Sequence, residues 1–113
     1  MTSTRLWRPV LAGLLMVVLA LSLLPLAPEV PSTGWDKTNH LLAFVTLAVV
    51  GCLAYPARTP ATLLALLFYG AMIEILQSFT NYRYAEWADL LADALGILLG
   101  WGFWRLARAA VPR

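Results

Sequence analysis

Apolar residues in this chain fall into four long runs, separated by short polar or proline-bearing segments. Leu6 to Leu26 is mostly aliphatic and long enough to cross a hydrocarbon core of about 30 Å at about 1.5 Å per residue. Ala27 to Trp35 holds Pro28, Pro31 and Gly34 and reads as a loop. The apolar run Leu41 to Tyr55 is shorter, so a spanning helix there has to begin among the polar residues ahead of it. Pro56 to Pro60 is a tight break that joins two antiparallel neighbours. Ala61 to Phe79 forms the third run, Thr80 to Ala85 turns, and Glu86 to Ala109 forms the fourth. The pattern predicts helices over about 6–26, 38–56, 61–79 and 86–109.

Composition narrows the class. The chain has 113 residues, 61% of them hydrophobic and only 12% charged. Too few polar groups remain to cover a water-soluble globule, and disorder is excluded. The expected fold is therefore an all-α membrane protein, a four-helix transmembrane bundle forming one domain over residues 1–113. A basic start before an apolar centre also suits a secretory signal, but the run is long and Ala27 is followed by Pro28, a poor cleavage position. The first run is thus read as an uncleaved membrane helix. Cys52 lies in an apolar run and reads as a small packing residue.

Charge placement adds orientation. The net charge of +2 is carried by arginines that flank apolar runs singly or in pairs, with no basic patch interleaved with stacking aromatics, so nucleic acid is not expected as a partner. Arg5, Arg8, Arg58, Arg105, Arg108 and Arg113 fall on one side of the predicted bundle, and only Lys37 and Arg83 on the other. By the positive-inside rule both termini face the cytoplasm. Glu29, Asp36, Glu86, Asp89 and Asp93 then gather at the outer helix ends, with Glu74 in the outer half of its span. The five tryptophans read as interface-belt or lipid-facing residues.

Ionisable groups at membrane depth cost about 2.5–3.5 kcal/mol each on insertion scales, so their presence points to a use. Helical spacing places Asp36 with His40, and Gly70 with Glu74 and Gln77, on shared faces. Asp89, Asp93, Gly96 and Gly100 line one face of the fourth helix, acidic at its head and glycine-lined deeper. The Gly96-to-Gly100 spacing permits close backbone approach to another helix, which implies that the acids above it also face protein. Glu74 and Asp93 come to similar depths, roughly 9–10 Å inside their helix ends. Two such carboxylates must pair with cations or share protons, and Lys37, Arg83 and protonated His40 are the candidate cations. Gln77 suits an interhelical hydrogen bond, and Arg83 a fork for a phosphate or carboxylate head group. No paired His or Cys accompanies His40, so neither a metal nor a cofactor is expected.

Three groups of residues resemble the VanZ-like family of small bacterial membrane proteins. They are Asp36-Lys37-x-x-His40-x-x-x-Phe44, then Gly70-x-x-x-Glu74-x-x-Gln77 with Arg83 in the next turn, and Asp89-Leu90-x-x-Asp93-x-x-Gly96-x-x-x-Gly100. The resemblance spans roughly residues 36–100 and implies a bacterial cytoplasmic-membrane protein of about four spans. The family usually carries Asn where this chain has Asp93, and the extra acid favours a shared proton or an added cation. The family takes its name from an accessory protein linked to resistance to teicoplanin, an antibiotic-resistance link that the name alone does not extend to this chain.

The reading that follows is a cell-envelope factor with an outward-facing polar pocket for an amphipathic or lipid-linked anionic substrate. Lys37 and Arg83 would hold the head group, with Asp36, His40 and Gln77 lining the pocket. Glu74, Asp89 or Asp93 would supply acid–base function. A structural or assembly subunit whose ion pairs fix helix register is the main alternative. A proton-coupled or small-cation carrier ranks lower, because the cytoplasmic halves of the helices offer no polar path.

Overall fold

A computed structural model describes residues 3–23, 35–79 and 87–110, and they form four helices. These are α1 (Ser3–Leu23), α2 (Trp35–Ala54), α3 (Thr59–Ser78) and α4 (Trp87–Ala110), with a short 3-10 turn at Pro56–Arg58 between α2 and α3. The expected helical class holds, with ends shifted by a few residues. The first helix begins three residues ahead of the expected Leu6 and carries Pro9 in its second turn. There the ring removes the hydrogen bond that residue 9 would donate to the Arg5 carbonyl and crowds that carbonyl. Pro60 lies in the first turn of α3, where a missing N–H costs nothing.

Three segments are long and apolar enough to cross a membrane: Thr4–Leu23, Pro56–Ser78 and Trp87–Ala110. The apolar part of α2, Thr38–Ala54, is shorter. α2 lies against each of the other three helices, most extensively against α4, whereas the backbones of α1 and α4 stay apart among the described residues. Phe44, Leu47, Ala48, Val50, Cys52 and Ala54 of α2 are all buried, so this helix meets protein where the others would meet lipid. Buried positions on α3 (Leu66, Gly70, Ile73, Glu74, Gln77) and α4 (Asp89, Asp93, Gly96, Ile97, Gly100, Trp104) recur at three- and four-residue spacing, one inward stripe each. Leu6, Met16, Leu21, Phe68, Leu91, Leu98, Phe103 and Leu106 point outward and are each more than half exposed. So broad an apolar exterior is suited to lipid rather than water.

Chain direction alternates from helix to helix. Arg8 Nε at the start of α1 donates to the Ala54 carbonyl at the end of α2 (3.1 Å), and its guanidinium stacks 4.5 Å over the Tyr55 ring. At the opposite end Gln77 Nε2 of α3 donates to the Ser22 carbonyl of α1 (2.8 Å). Between them the Tyr69 hydroxyl donates to the Leu15 carbonyl. α1 buries only Leu11 fully among its described residues, so these three polar tethers hold the helix that packs least deeply.

One expectation needs correction. Trp104 is only 8% exposed and packs inward on α4, and Trp7 packs against the hydrophobic core, so neither is a simple lipid-facing belt residue. Trp87, by contrast, is fully outward. Inward packing of Trp104 follows from its place on the Gly96–Gly100 stripe, four residues further along. Cys52 is fully buried, as a packing residue should be.

The α2–α4 contact is the closest in the bundle. A Cβ on Gly100 would stand 2.6 Å from the Val45 carbonyl oxygen and 2.7 Å from the Ala48 Cβ, and one on Gly96 2.6 Å from the Leu41 carbonyl oxygen. Backbone atoms cannot yield as a flexible side chain does. Gly100→Ala is therefore expected to destabilise the bundle by about 1–3 kcal/mol, the usual cost of overpacking. Gly102→Ala, on a face with nothing within 4 Å, should leave stability unchanged or slightly raised. Reversible unfolding in mixed micelles measures both, and equal stability of the two variants would refute the close approach.

Candidate functional site

The polar residues of α2, α3 and α4 meet at one end of the bundle. His40 lies in the second turn of α2, Glu74 in the last turns of α3, and Asp89 and Asp93 in the first two turns of α4. His40 Nδ1 donates to Asp93 Oδ1 at 2.7 Å. The His40 side chain is 13% exposed and that of Asp93 is fully buried. One donor atom from each of His40, Glu74 and Asp89 lies within 4.8 Å of the others. Glu74 and Asp89 are themselves buried, at 8% and 5% exposure. A histidine and three carboxylates, drawn from three helices, thus form one compact cluster.

Small and aromatic residues shape the space around it. A Cβ on Gly70 would meet Asp93 Oδ2 at 2.7 Å, so α3 gives up a side chain there to admit the aspartate. Phe44, one turn beyond His40 on α2, stands 3.3 Å from the same point and 3.0 Å from a Cβ placed on Gly96. Its ring lies 6.0 Å from that of Tyr69. Phe44 is almost fully buried and forms an apolar floor under the His40–Asp93 pair. Asp93 Oδ2 takes no hydrogen bond among the described residues. A fully buried carboxylate with one oxygen left in that state is costly, and its surroundings must supply compensation.

The structure therefore brings together Glu74, Asp89, Asp93 and His40 of the sequence-derived candidates. Gln77 is buried on the same stripe as Glu74, and its amide reaches α1 through Ser22. Arg83 lies outside the described residues, and so do the side chains of Asp36 and Lys37, whose backbone belongs to the first turn of α2. Sequence reasoning gave no role to Tyr69 or Ser22. Tyr69 opens the stripe that continues through Ile73, and a tyrosine inside an apolar run is itself a signal that its hydroxyl needs a partner.

The opposite end is different in kind. Pro56, Thr59, Pro60, Trp101, Trp104, Arg105, Arg108 and Ala109 line an open cavity of about 600 Å³. Arg105 stacks 5.4 Å over Trp101, and Arg108 stacks 5.2 Å over Trp104. Among the described residues that lining holds no acid.

A helical bundle with an apolar exterior and a buried cluster of ionisable side chains is a membrane protein. A family model described as VanZ/LLP1 matches residues 21–108, and the chain belongs to that family. No curated protein and no solved structure matches it.

The His40–Asp93 contact is charge-assisted, a class worth about 1.5–3 kcal/mol. A double-mutant cycle of His40→Ala and Asp93→Ala, read by unfolding in micelles, is expected to return a coupling of that size. Additive losses would mean that the two side chains act independently.

Proposed function

We propose that this protein is a four-span inner-membrane protein of the bacterial envelope, a single domain with both termini in the cytoplasm. Its polar pocket opens toward the outer leaflet and binds an amphipathic, lipid-linked anionic substrate. The observation that carries the reading is the meeting of His40, Glu74, Asp89 and Asp93 at one end of an otherwise apolar bundle. That end lies at the depth where a lipid head group meets its acyl chains. The orientation is supported by Arg5, Arg8, Arg58, Arg105 and Arg108, all at the opposite end.

In this reading the apolar outer faces of α3 and α4 guide the lipid tail, and the cluster handles the head group. Lys37 and Arg83 supply positive charge to it, Asp36 and Gln77 line the approach, and Glu74, Asp89 or Asp93 exchange protons with the bound group. The second reading, a subunit whose ion pairs only fix helix register, is favoured by one observation. His40 and Asp93 bridge the two most closely packed helices.

Two measurements test the proposal, the first of which separates the readings. In membranes, a photoreactive polyprenyl phosphate should label the wild-type protein near α3 and α4. Lys37→Ala and Arg83→Ala, which remove the cations that hold the head group, should lower that labelling about tenfold or more at equal protein level. Equal labelling by the phosphate-free polyprenol would remove the anionic head group from the proposal. Labelling unaffected by either substitution, with normal folding, would leave the structural reading. Single cysteines at Ser32 and Arg58 in a Cys52→Ser background are expected to react with impermeant reagent from outside and inside respectively; the reverse pattern would invert the proposed topology.

A further inference from the structure

We infer that His40, Glu74 and Asp89 together hold a divalent transition-metal ion of the Zn²⁺ or Mn²⁺ type, with Asp93 as the positioning residue for His40. The inference deepens the proposed function, because it gives an acidic pocket a way to recognise an anionic head group.

Three features of the cluster point to a cation. The first is the donor set: one imidazole nitrogen and two carboxylate oxygens, from three different helices, lie within 4.8 Å of one another. An ion at about 2.1 Å from each donor keeps them about 3.4 Å apart in a tetrahedral shell, so closing the set takes modest side-chain adjustment. The second is the orientation of His40. Its Nδ1–H is engaged by Asp93 Oδ1 at 2.7 Å, which leaves Nε2 as the ring nitrogen with a lone pair. A carboxylate behind a histidine is the arrangement that fixes the tautomer of metal-ligating histidines and raises their basicity. The third is independent of the donor set. Asp93 is fully buried, and its Oδ2 takes no hydrogen bond among the described residues.

Charge makes the case stronger. The cluster carries three carboxylates against one imidazole, inside an apolar bundle. An ion of charge +2 offsets two of the three negative charges where they stand. The mixed nitrogen and oxygen donor set favours Zn²⁺ or Mn²⁺, since Mg²⁺ and Ca²⁺ prefer all-oxygen shells. Three protein donors leave at least one coordination position open, and the partial exposure of His40 gives a route to it. A phosphate or carboxylate oxygen of the substrate head group fits that position.

The test begins with protein purified in detergent, stripped with a chelator and dialysed. Titration with Zn²⁺ and with Mn²⁺ should show one ion per chain at micromolar affinity or tighter. Co²⁺ should give visible ligand-field absorption on the wild-type protein, a readout that needs no variant. Glu74→Gln, Asp89→Asn and His40→Gln should each weaken binding at least 100-fold, with helical circular dichroism confirming the fold. Asp93→Asn should weaken it about 10- to 100-fold while keeping one ion per chain, as expected for a residue that acts through a ligand. Arg105→Ala, at the far end, should change nothing. Failure of the wild-type protein to bind either ion stoichiometrically overturns the inference, as does affinity unchanged by Glu74→Gln and Asp89→Asn. Labelling by the polyprenyl phosphate separates this outcome from failure of the proposed function. Labelling lost on chelation and restored by Zn²⁺ supports the metal site. Labelling that persists after chelation, with no ion bound, overturns the metal and leaves the pocket. Stoichiometric ion binding without labelling supports the metal and overturns the substrate.

Discussion

Contact between the backbones of α2 and α4 is the constraint on which the polar end of this protein depends. Gly96 and Gly100 remove the side chains that would hold the two helices apart, and the carbonyls of Leu41 and Val45 occupy the space. Asp93 lies one turn from Gly96 toward the head of α4, on the same face. At that separation its carboxylate comes within hydrogen-bonding distance of His40. Wider spacing would leave Asp93 in an apolar gap, too far from the imidazole and cut off from water. The glycines are thus part of the electrostatics as well as the packing. Gly70 repeats the device on α3, where a methyl group would collide with Asp93 Oδ2.

This arrangement also explains how α2 comes to be the central helix. In a membrane the gain from burying apolar surface against protein is small, since lipid is equally apolar, and helix association relies on close packing and polar contacts. α2 supplies small residues along one side (Ala48, Gly51, Cys52) and a histidine near its head. It can therefore be approached from several directions and can satisfy an acid from one of them. α1 takes the opposite course. It is strongly apolar, buries little, and is attached through side-chain bonds to backbone carbonyls at Ala54, Ser22 and Leu15.

Much of this was legible in the sequence, and the reasons differ by element. The four helices follow from run length and from the prolines between runs, because a bilayer imposes a minimum length that a soluble core does not. The common face of Asp89, Asp93, Gly96 and Gly100 follows from helical periodicity alone. What periodicity cannot supply is the partner of that face. Two adjacent helices were equally open to Gly96, and only the three-dimensional packing assigns it to α2. Nor does spacing tell which cation meets Asp93, since the apolar pattern predicts Lys37, His40 and Arg83 all at the same end. Trp104 was misread for a related reason. A tryptophan near a helix end usually marks the membrane interface, but this one falls on the inward stripe and is packed accordingly. Tyr69 and Ser22 escaped notice because bonds to backbone carbonyls leave no residue-type signature in the acceptor.

The choice of an acid at position 93 carries its own information. An asparagine oxygen could accept the His40 Nδ1–H with nearly the same geometry, at a far lower cost of burial. Register between α2 and α4 alone would be served by that amide, helped by the glycines. A carboxylate adds only what a neutral group lacks: a full negative charge behind the imidazole, and with it a more basic second ring nitrogen. That difference matters when the ring must bind a cation or exchange a proton on its far side. Glu74 and Asp89 lie close enough to share such a partner. The extra charge at Asp93 is therefore better explained by what His40 does next than by how the helices are held.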